Sequence, residues 1–371
     1  MKIISVVGAR PNFMKIAPIA EAISEQNRIG KGEIKHVIVH TGQHYDEKMS
    51  ELFFTDLGIP KPDLNLGVGS GSQAAQTADI MKRFDPVLKE QKPDYVLVVG
   101  DVNSTIACAL VAAKVGVKVI HVEAGLRSFD RSMPEEINRV LTDAISDLLF
   151  ITERSAEENL HREGIPKERI HFVGNVMIDT LLKHRKEAEK SHILKTLDLE
   201  WNKNRTPRPY AVLTLHQPSN VDNPESLKGI FDALKEVSKS IPILFPVHPR
   251  TKNRIEEWGF SLGDRILALE PLGYIDFLYA IANAKLVLTD SGGIQEETTV
   301  LGVPCLTLRE NTERPVTITQ GTNRLVGNNP RKIVHEALDI LKNGTGEFRI
   351  PDLWDGMAAQ RIVNILLSLE K

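Results

Sequence analysis

Short apolar runs alternate with amphipathic stretches of helical period along this chain, and the whole alternation occurs twice. In the first half Ile3–Val7, His36–His40, Tyr95–Val99, Val117–Val122 and Leu148–Ile151 predict strands, with helices from about Asn12, around Tyr45–Leu57 and from about Asn103 between them. In the second half Tyr210–Leu215, Ile243–Val247, Ile266–Leu269, Leu286–Thr289 and Cys305–Leu308 repeat the pattern. Near-continuous apolar strands separated by helix-length segments are how a parallel sheet covered on both faces reads in sequence. The pattern predicts an α/β protein of two Rossmann-like domains with parallel sheets, residues 1–181 and 210–350. They are joined by 182–209, a charged stretch ending in Asn204-Arg205-Thr206-Pro207-Arg208-Pro209. A last helix, about Trp354–Glu370 within 351–371, is free to pack on either domain, the first included. Open α/β sheets bind ligands beyond the carboxyl ends of their strands. Polar clusters follow the strands of both halves, so a deep cleft between the domains is expected to hold the ligand.

Composition changes this picture little. A chain of 371 residues suits two domains. A formal net charge of -3 argues against nucleic acid as a partner, which usually needs a basic surface. Cys108 and Cys305 lie in apolar runs and read as small buried residues, so a reducing, cytoplasmic setting is the expectation. The run Ile3–Val7 is too short for a signal peptide or a span, and no apolar run is long enough to cross a bilayer, so no membrane partner is expected.

The clusters after the strands carry the chemistry. Val287-Leu288-Thr289-Asp290-Ser291-Gly292-Gly293-Ile294-Gln295-Glu296-Glu297 reads as a buried strand, a glycine turn and a helix start. Glycines at a helix N-terminus bare amide N–H groups, and the helix dipole favours phosphate there. Glu297, one turn in, can accept from sugar hydroxyls or merely complement the dipole. Thr312-Glu313-Arg314-Pro315 offers a further cation. Gly8-Ala9-Arg10-Pro11 places Arg10 and Lys15 near another helix N-terminus, at a spacing unlike the dinucleotide fingerprint. Asp101 ends the strand Tyr95–Val99 as a candidate acid or base, or as a helix cap. His121 and Glu123 flank Val122, so strand alternation puts both on one face. Glu135 and Arg139, four apart, share a helix face. Asp101, Glu123 and Glu135 can converge in one crevice, and grouped carboxylates suit proton transfer at carbon. His216 and His248 stand at corresponding strand ends of the second half, with Arg250 nearby. No Cys/His spacing fits a zinc site, so no metal is expected.

With Gly8-Ala9-Arg10-Pro11, Gln43-His44, Gly100-Asp101, His121-Val122-Glu123-Ala124-Gly125-Leu126-Arg127, Pro134-Glu135-Glu136-Ile137-Asn138-Arg139, Gly174-Asn175, Pro246-Val247-His248, Asp290–Glu297 and Thr312–Pro315 in order, the chain resembles the non-hydrolysing UDP-N-acetylglucosamine 2-epimerases over essentially its full length. The resemblance implies a GT-B-like fold, a homodimer and a UDP-sugar substrate without metal or redox cofactor. It implies C2 inversion of UDP-GlcNAc to UDP-ManNAc by elimination of UDP to a 2-acetamidoglucal and re-addition, for cell-surface polysaccharide precursors. Asp101, Glu123, Glu135 and His216 then become catalytic candidates. Arg10, Lys15, Arg139, His248, Ser291, Gly292, Gly293, Glu297 and Arg314 become UDP and substrate contacts. One departure is that His216-Gln217-Pro218-Ser219 stands where many bacterial members carry His-Arg-Arg-Glu, which takes a cation out of that segment. His40–Asp46 and Arg127-Ser128-Phe129 also resemble relatives acting on UDP-2,3-diacetamido-2,3-dideoxyglucuronic acid, where Arg131 could meet the C6 carboxylate. A GT-B glycosyltransferase would share the fold, but the carboxylate cluster fits C–H chemistry better than simple transfer.

Overall fold

A computed structural model describes residues 1–30, 33–43, 58, 61–201 and 206–369. The chain divides into two compact units, one of residues 1–183 with 352–371 and one of residues 184–351. The helix expected around Tyr45–Leu57 and residues 202–205 lie outside the described residues.

The first unit is built on a parallel sheet. Its strands are β1 (Lys2–Val7), β2 (Lys35–His40), β3 (Leu64–Asn65), β4 (Tyr95–Val99), β5 (Lys118–Ala124), β6 (Leu148–Ile151) and β7 (Ile170–Phe172), in the order β3-β2-β1-β4-β5-β6-β7. Ile3, Ile4, Val7, Val96, Leu97, Val98, Val119 and Ile120 are almost wholly buried, which is why these strands read as unbroken apolar runs. The helices that bear on function are α1 (Arg10–Arg28), α2 (Gln73–Gln91), α3 (Asn103–Lys114), α4 (Pro134–Ile145), α5 (Arg154–Arg162) and α6 (Val176–Ala188). Each starts for a local reason. Pro11 sets the first turn of α1, Ser72 caps α2 by accepting from the Ala75 amide at 3.3 Å, and Pro134 opens α4.

The second unit repeats the architecture. After α7 (Ile193–Thr196) and the small hairpin β8 (Glu200–Trp201) and β9 (Thr206–Pro207) come β10 (Ala211–Thr214), β11 (Ile243–Pro246), β12 (Ile266–Leu269), β13 (Leu286–Thr289), β14 (Cys305–Thr307) and β15 (Asn323–Leu325). Their order is β12-β11-β10-β13-β14-β15, parallel throughout. Among its helices are α8 (Pro218–Val221), α9 (Pro224–Ser238), α10 (Pro249–Trp258), α11 (Tyr274–Ala282), α12 (Gly292–Leu301), α13 (Val316–Thr319) and α14 (Pro330–Asn343). Phe231, Phe245, Leu234, Leu286, Leu288 and Ile333 form one apolar core under the sheet.

The chain then returns to the first unit. Trp354 Nε1 donates to the Thr152 carbonyl at 2.9 Å, and Asp179 of α6 accepts the Ala358 and Ala359 amides at 3.1 and 2.7 Å. Asp179 thus caps the N-terminus of the last helix, α15 (Ala358–Ser368), from a different element. The two-sheet α/β reading holds. It overlooked β3, β7 and β15, which are two- or three-residue edge strands too short to leave a periodic signal. Cys108 and Cys305 are buried and free, and no described helix is long and apolar enough to cross a membrane.

In both sheets the strand order reverses direction next to the first strand, between β1 and β4 and between β10 and β13. That reversal opens a crevice beyond the strand ends, because the connecting loops on its two sides leave in opposite directions.

Candidate active site

At the reversal of the first sheet, the loops after β1, β2 and β4 are stitched together by buried amides. Asn12 accepts the Gly8 and Ala9 amides at 3.1 and 2.9 Å and donates to the Val99 carbonyl at 3.1 Å. Gln43 accepts from the Ser104 amide and hydroxyl at 3.1 and 2.7 Å, and Thr41 meets the same hydroxyl at 2.8 Å. Gly8 is required for this approach, since a Cβ there would overlap Ser104 Oγ. The side chain of Arg10 and the whole of His44 lie outside the described residues.

Two of the candidate carboxylates lie at strand ends beside this crevice. Asp101 follows β4 and pairs with Arg139 of α4. Glu123, at the end of β5, is buried and pairs with Lys15, one turn into α1. Its backbone has φ of 74°, and the register of β5 against β6 slips between Val122 and Ala124. A non-glycine residue in the left-handed region costs roughly 1–2 kcal/mol and marks a position held by its surroundings. The slip also corrects the alternation reading. His121 contacts Asp143 of α4 while Glu123 contacts Lys15 of α1, so the two side chains engage different helices rather than one shared face.

Glu135 sits half-buried in the first turn of α4. Its neighbour Glu136 is the more constrained residue. Glu136 accepts the Ser128 amide at 2.9 Å, the Ser128 hydroxyl at 3.0 Å and the Phe129 amide at 2.9 Å, and pairs with Arg139 at 2.8 Å. Burial works against its charge, but these donors outweigh it and hold the carboxyl below its ordinary range. Arg139 therefore bridges Glu136 and Asp101. The motif places Glu136 beside Glu135, but only the folding of the 126–133 loop over α4 reveals which carboxylate is locked.

The second sheet presents a different surface at its reversal. The Thr214 and Thr289 hydroxyls meet at 2.6 Å where β10 and β13 end. Asp290, fully buried, then accepts the His216 amide at 2.9 Å, the Gln217 amide at 2.8 Å and the Asn220 side chain at 3.3 Å. It also meets His216 Nδ1 at 3.0 Å. Burial disfavours an imidazolium at His216, yet the Asp290 carboxylate outweighs it and raises the ring above its ordinary range; the same pairing lowers Asp290 against its own burial. Asp290 is a buried anchor of this segment that sequence reading did not single out, because an Asp before Ser-Gly-Gly looks like a helix cap. His248 lies beside His216 with ring centroids 5.7 Å apart, and its Nδ1 accepts the Arg250 amide at 3.2 Å as the cap of α10.

Ser291, Gly292 and Gly293 form the start of α12, with the Ser291 amide held by Thr289 Oγ1 at 3.0 Å. Gly292 packs against Arg314 and Glu313, and a Cβ there would overlap the Arg314 guanidinium. Arg314 is buried, paired with Glu296 at 2.7 Å and with Glu313, so its charge sits behind the N-terminal turn of α12. Gln295 accepts from Thr312 Oγ1 at 2.7 Å and Asn323 at 3.0 Å, tying α12 to the loop that carries Arg314.

Glu297, one turn on, is buried and accepts the Tyr274 hydroxyl at 3.2 Å. Burial, opposed by the Tyr274 hydrogen bond and helped by the Glu296 charge, pushes its carboxyl up to about 7. An acid raised in the folded state loses stability as pH climbs from its unfolded value of 4.5 to about 7, because only the unfolded chain ionises freely across that window. Glu297→Gln should therefore leave stability unchanged near pH 4.5 and raise it at pH 8 by up to about 3 kcal/mol. Urea unfolding of the free protein at the two pH values checks this. A variant no more stable than wild type at pH 8 would show that the buried carboxylate carries no such cost.

Known proteins of similar sequence and structure identify the family. A family model described as UDP-N-acetylglucosamine 2-epimerase matches residues 27–367. The UDP-N-acetylglucosamine 2-epimerase of Methanocaldococcus jannaschii is 45% identical, with 99% of each chain covered. A crystal structure of the Methanocaldococcus jannaschii enzyme in complex with UDP-GlcNAc and UDP superposes with a TM-score of 0.90 at 44% identity, covering 99% of this chain and all of that one. The UDP-2,3-diacetamido-2,3-dideoxy-D-glucuronate 2-epimerase of Pseudomonas aeruginosa is 42% identical over 91% of each chain. With two parallel sheets of the GT-B type and a match of this extent, the chain belongs to the UDP-N-acetylglucosamine 2-epimerase family, a family of isomerases.

Proposed function

We propose that the protein interconverts UDP-GlcNAc and UDP-ManNAc without hydrolysing them. The observation that carries this reading is the pair Asp101 and Glu123 at neighbouring strand ends of the first sheet's reversal, each coupled to a buried cation. Breaking a C–H bond at C2 demands a positioned base, and the cation beside each carboxylate aims it. One carboxylate among Asp101, Glu123 and Glu135 takes the C2 proton. The electron pair forms the C1–C2 double bond as the C1–O bond breaks and UDP departs with the pair. A second of these groups, entering the step as the neutral acid, then delivers its proton to the other face of C2, while a diphosphate oxygen closes on C1. Atoms and charge balance with no oxidant, and UDP is regenerated in the product.

The departing diphosphate gains negative charge and needs fixed positive charge and N–H donors. His216, kept cationic by Asp290, supplies one, with Arg10, Lys15 and Arg139 from the first unit. Ser291, Gly292 and Gly293 hold phosphate on the N-terminus of α12, Arg314 reinforces that end from behind, His248 lies beside His216, and Glu297 takes ribose hydroxyls. The homodimer, the cytoplasmic setting and the supply of polysaccharide precursors belong to the same reading. A second reading, C2 epimerisation of UDP-2,3-diacetamido-2,3-dideoxyglucuronic acid, is favoured by the Pseudomonas aeruginosa relative, with exposed Arg131 facing the extra carboxylate.

Incubation with UDP-GlcNAc in D2O, followed by proton NMR, tests the proposal. UDP-ManNAc deuterated at C2, without free ManNAc, is the expected product. An inert UDP-GlcNAc with turnover of the diacetamido-glucuronate would move the assignment to the second reading. Release of UDP only when an acceptor is added would point to a glycosyltransferase instead.

A further inference from the structure

Behind the two candidate carboxylates lies a buried polar cluster that the proposed chemistry does not use. Asp143, in the last turn of α4, and His121 on β5 are both fully buried. Asp143 Oδ1 is 2.6 Å from His121 Nδ1, while Oδ2 accepts the Gly125 amide at 3.0 Å and pairs with Arg127 at 2.7 Å. Arg127 is gripped from the other side by Glu163 at 2.6 and 2.8 Å. His121 Nε2 lies 2.9 Å from the Gly100 carbonyl. A carbonyl can only accept, so Nε2–H donates to it, while Nδ1 sits within hydrogen-bond reach of the Asp143 carboxylate.

Two of these contacts end on backbone segments that bear a candidate carboxylate, and the third leads into the loop that holds Glu136. Gly100 immediately precedes Asp101. Gly125 closes the turn that begins with the left-handed Glu123, and Arg127 leads into Ser128 and Phe129, which hold Glu136. One carboxylate therefore fixes three segments relative to one another. Stability alone does not account for it. Burying several charges costs desolvation that well-packed apolar residues would avoid, so such clusters are weak evidence of stabilisation. What the cluster does provide is a strained backbone at Glu123 held in register against Asp101.

We propose that Asp143 is the positioning residue that sets the separation and aim of the Asp101 and Glu123 carboxylates. It touches no solvent and so acts through His121 and Gly125 rather than on substrate. This inference rests on the assignment of those carboxylates to proton transfer at C2.

The test is Asp143→Asn in the full-length chain, which keeps the shape and removes the charge. A misplacement of about 1 Å costs on the order of 10²-fold in rate, so kcat per UDP-binding site should fall by about that factor. KM for UDP-GlcNAc and Kd for UDP should stay within about twofold, as expected when an interaction matters only in the transition state. Deuterium wash-in at C2 should drop in step with net epimerisation. His121→Asn, which can still reach Asp143 but not Gly100, should lower kcat at least about tenfold by the same logic, and serves if Asp143→Asn does not fold. Unchanged kcat per UDP site in the folded variant, whatever happens to Tm, overturns the proposal, as does a rise in KM alone. Wild-type protein inert toward both UDP-sugars would instead overturn the functional reading, and this inference with it.

Discussion

Glu123→Gln should lower kcat for UDP-GlcNAc epimerisation by about 10³-fold, within the 10²–10⁴ range that one positioned acid or base contributes. The side chain is buried and paired with Lys15, so the amide keeps the volume but removes both the proton-holding group and the charge that faces Lys15. The left-handed backbone and the register slip at this residue do not depend on the charge, since Asp143 holds them through Gly125. UDP affinity should change far less than kcat, because the second unit is expected to supply the phosphate turn and the ribose contact. Steady-state kinetics, UDP titration and C2 deuterium wash-in separate the effects. A variant with near-normal turnover would exclude Glu123 from proton transfer and leave Asp101 and Glu135 to carry it.

Asp290→Asn should be the most damaging change in the second unit. Three donors and the His216 ring converge on a fully buried carboxylate, and an amide can accept at only one atom while presenting N–H2 to donors at the other. Leaving a buried donor to face an amide N–H2 instead of its acceptor typically costs about 1–3 kcal/mol. His216 would at the same time lose the charge that keeps it protonated, so UDP affinity should fall at least about 10²-fold, in line with the loss of a charge-assisted contact. The pH dependence gives an independent mark. A histidine raised by its partner is charged below its ordinary 6.5 and loses that charge as pH rises through the raised value. Wild-type UDP affinity should therefore weaken on the alkaline side, and Asp290→Asn should bring that weakening to lower pH. Calorimetric titration of UDP across pH 6 to 9 measures both, and an unaltered profile with unaltered affinity would detach Asp290 from nucleotide binding.

The sequence by itself determined the architecture and the inventory of chemistry. Parallel strands buried on both faces must be continuously apolar, so β1, β4, β10 and β13 were legible as runs, and their helices as the polar-faced stretches between. The glycine turns that end those strands, Gly8, Gly100 and Gly292, mark where backbone must approach something closely, so the polar residues after them could be named as site candidates.

What only the tertiary structure decided is which of those residues constrain one another. Glu136 rather than Glu135 accepts Ser128 and Phe129, because the 126–133 loop folds back onto α4. Lys15 pairs with Glu123 across more than a hundred positions of chain. His121 and Glu123 part company because one register slip reverses strand alternation. Asp143, outside every motif, and Asp290, whose motif does not reveal its partners, prove to be buried anchors of their units. The physical reason is one of range. Periodicity, caps and glycine turns are fixed by neighbours a few residues away, whereas the partner of a buried charge is fixed by sheet register and helix packing, which no local stretch of sequence contains.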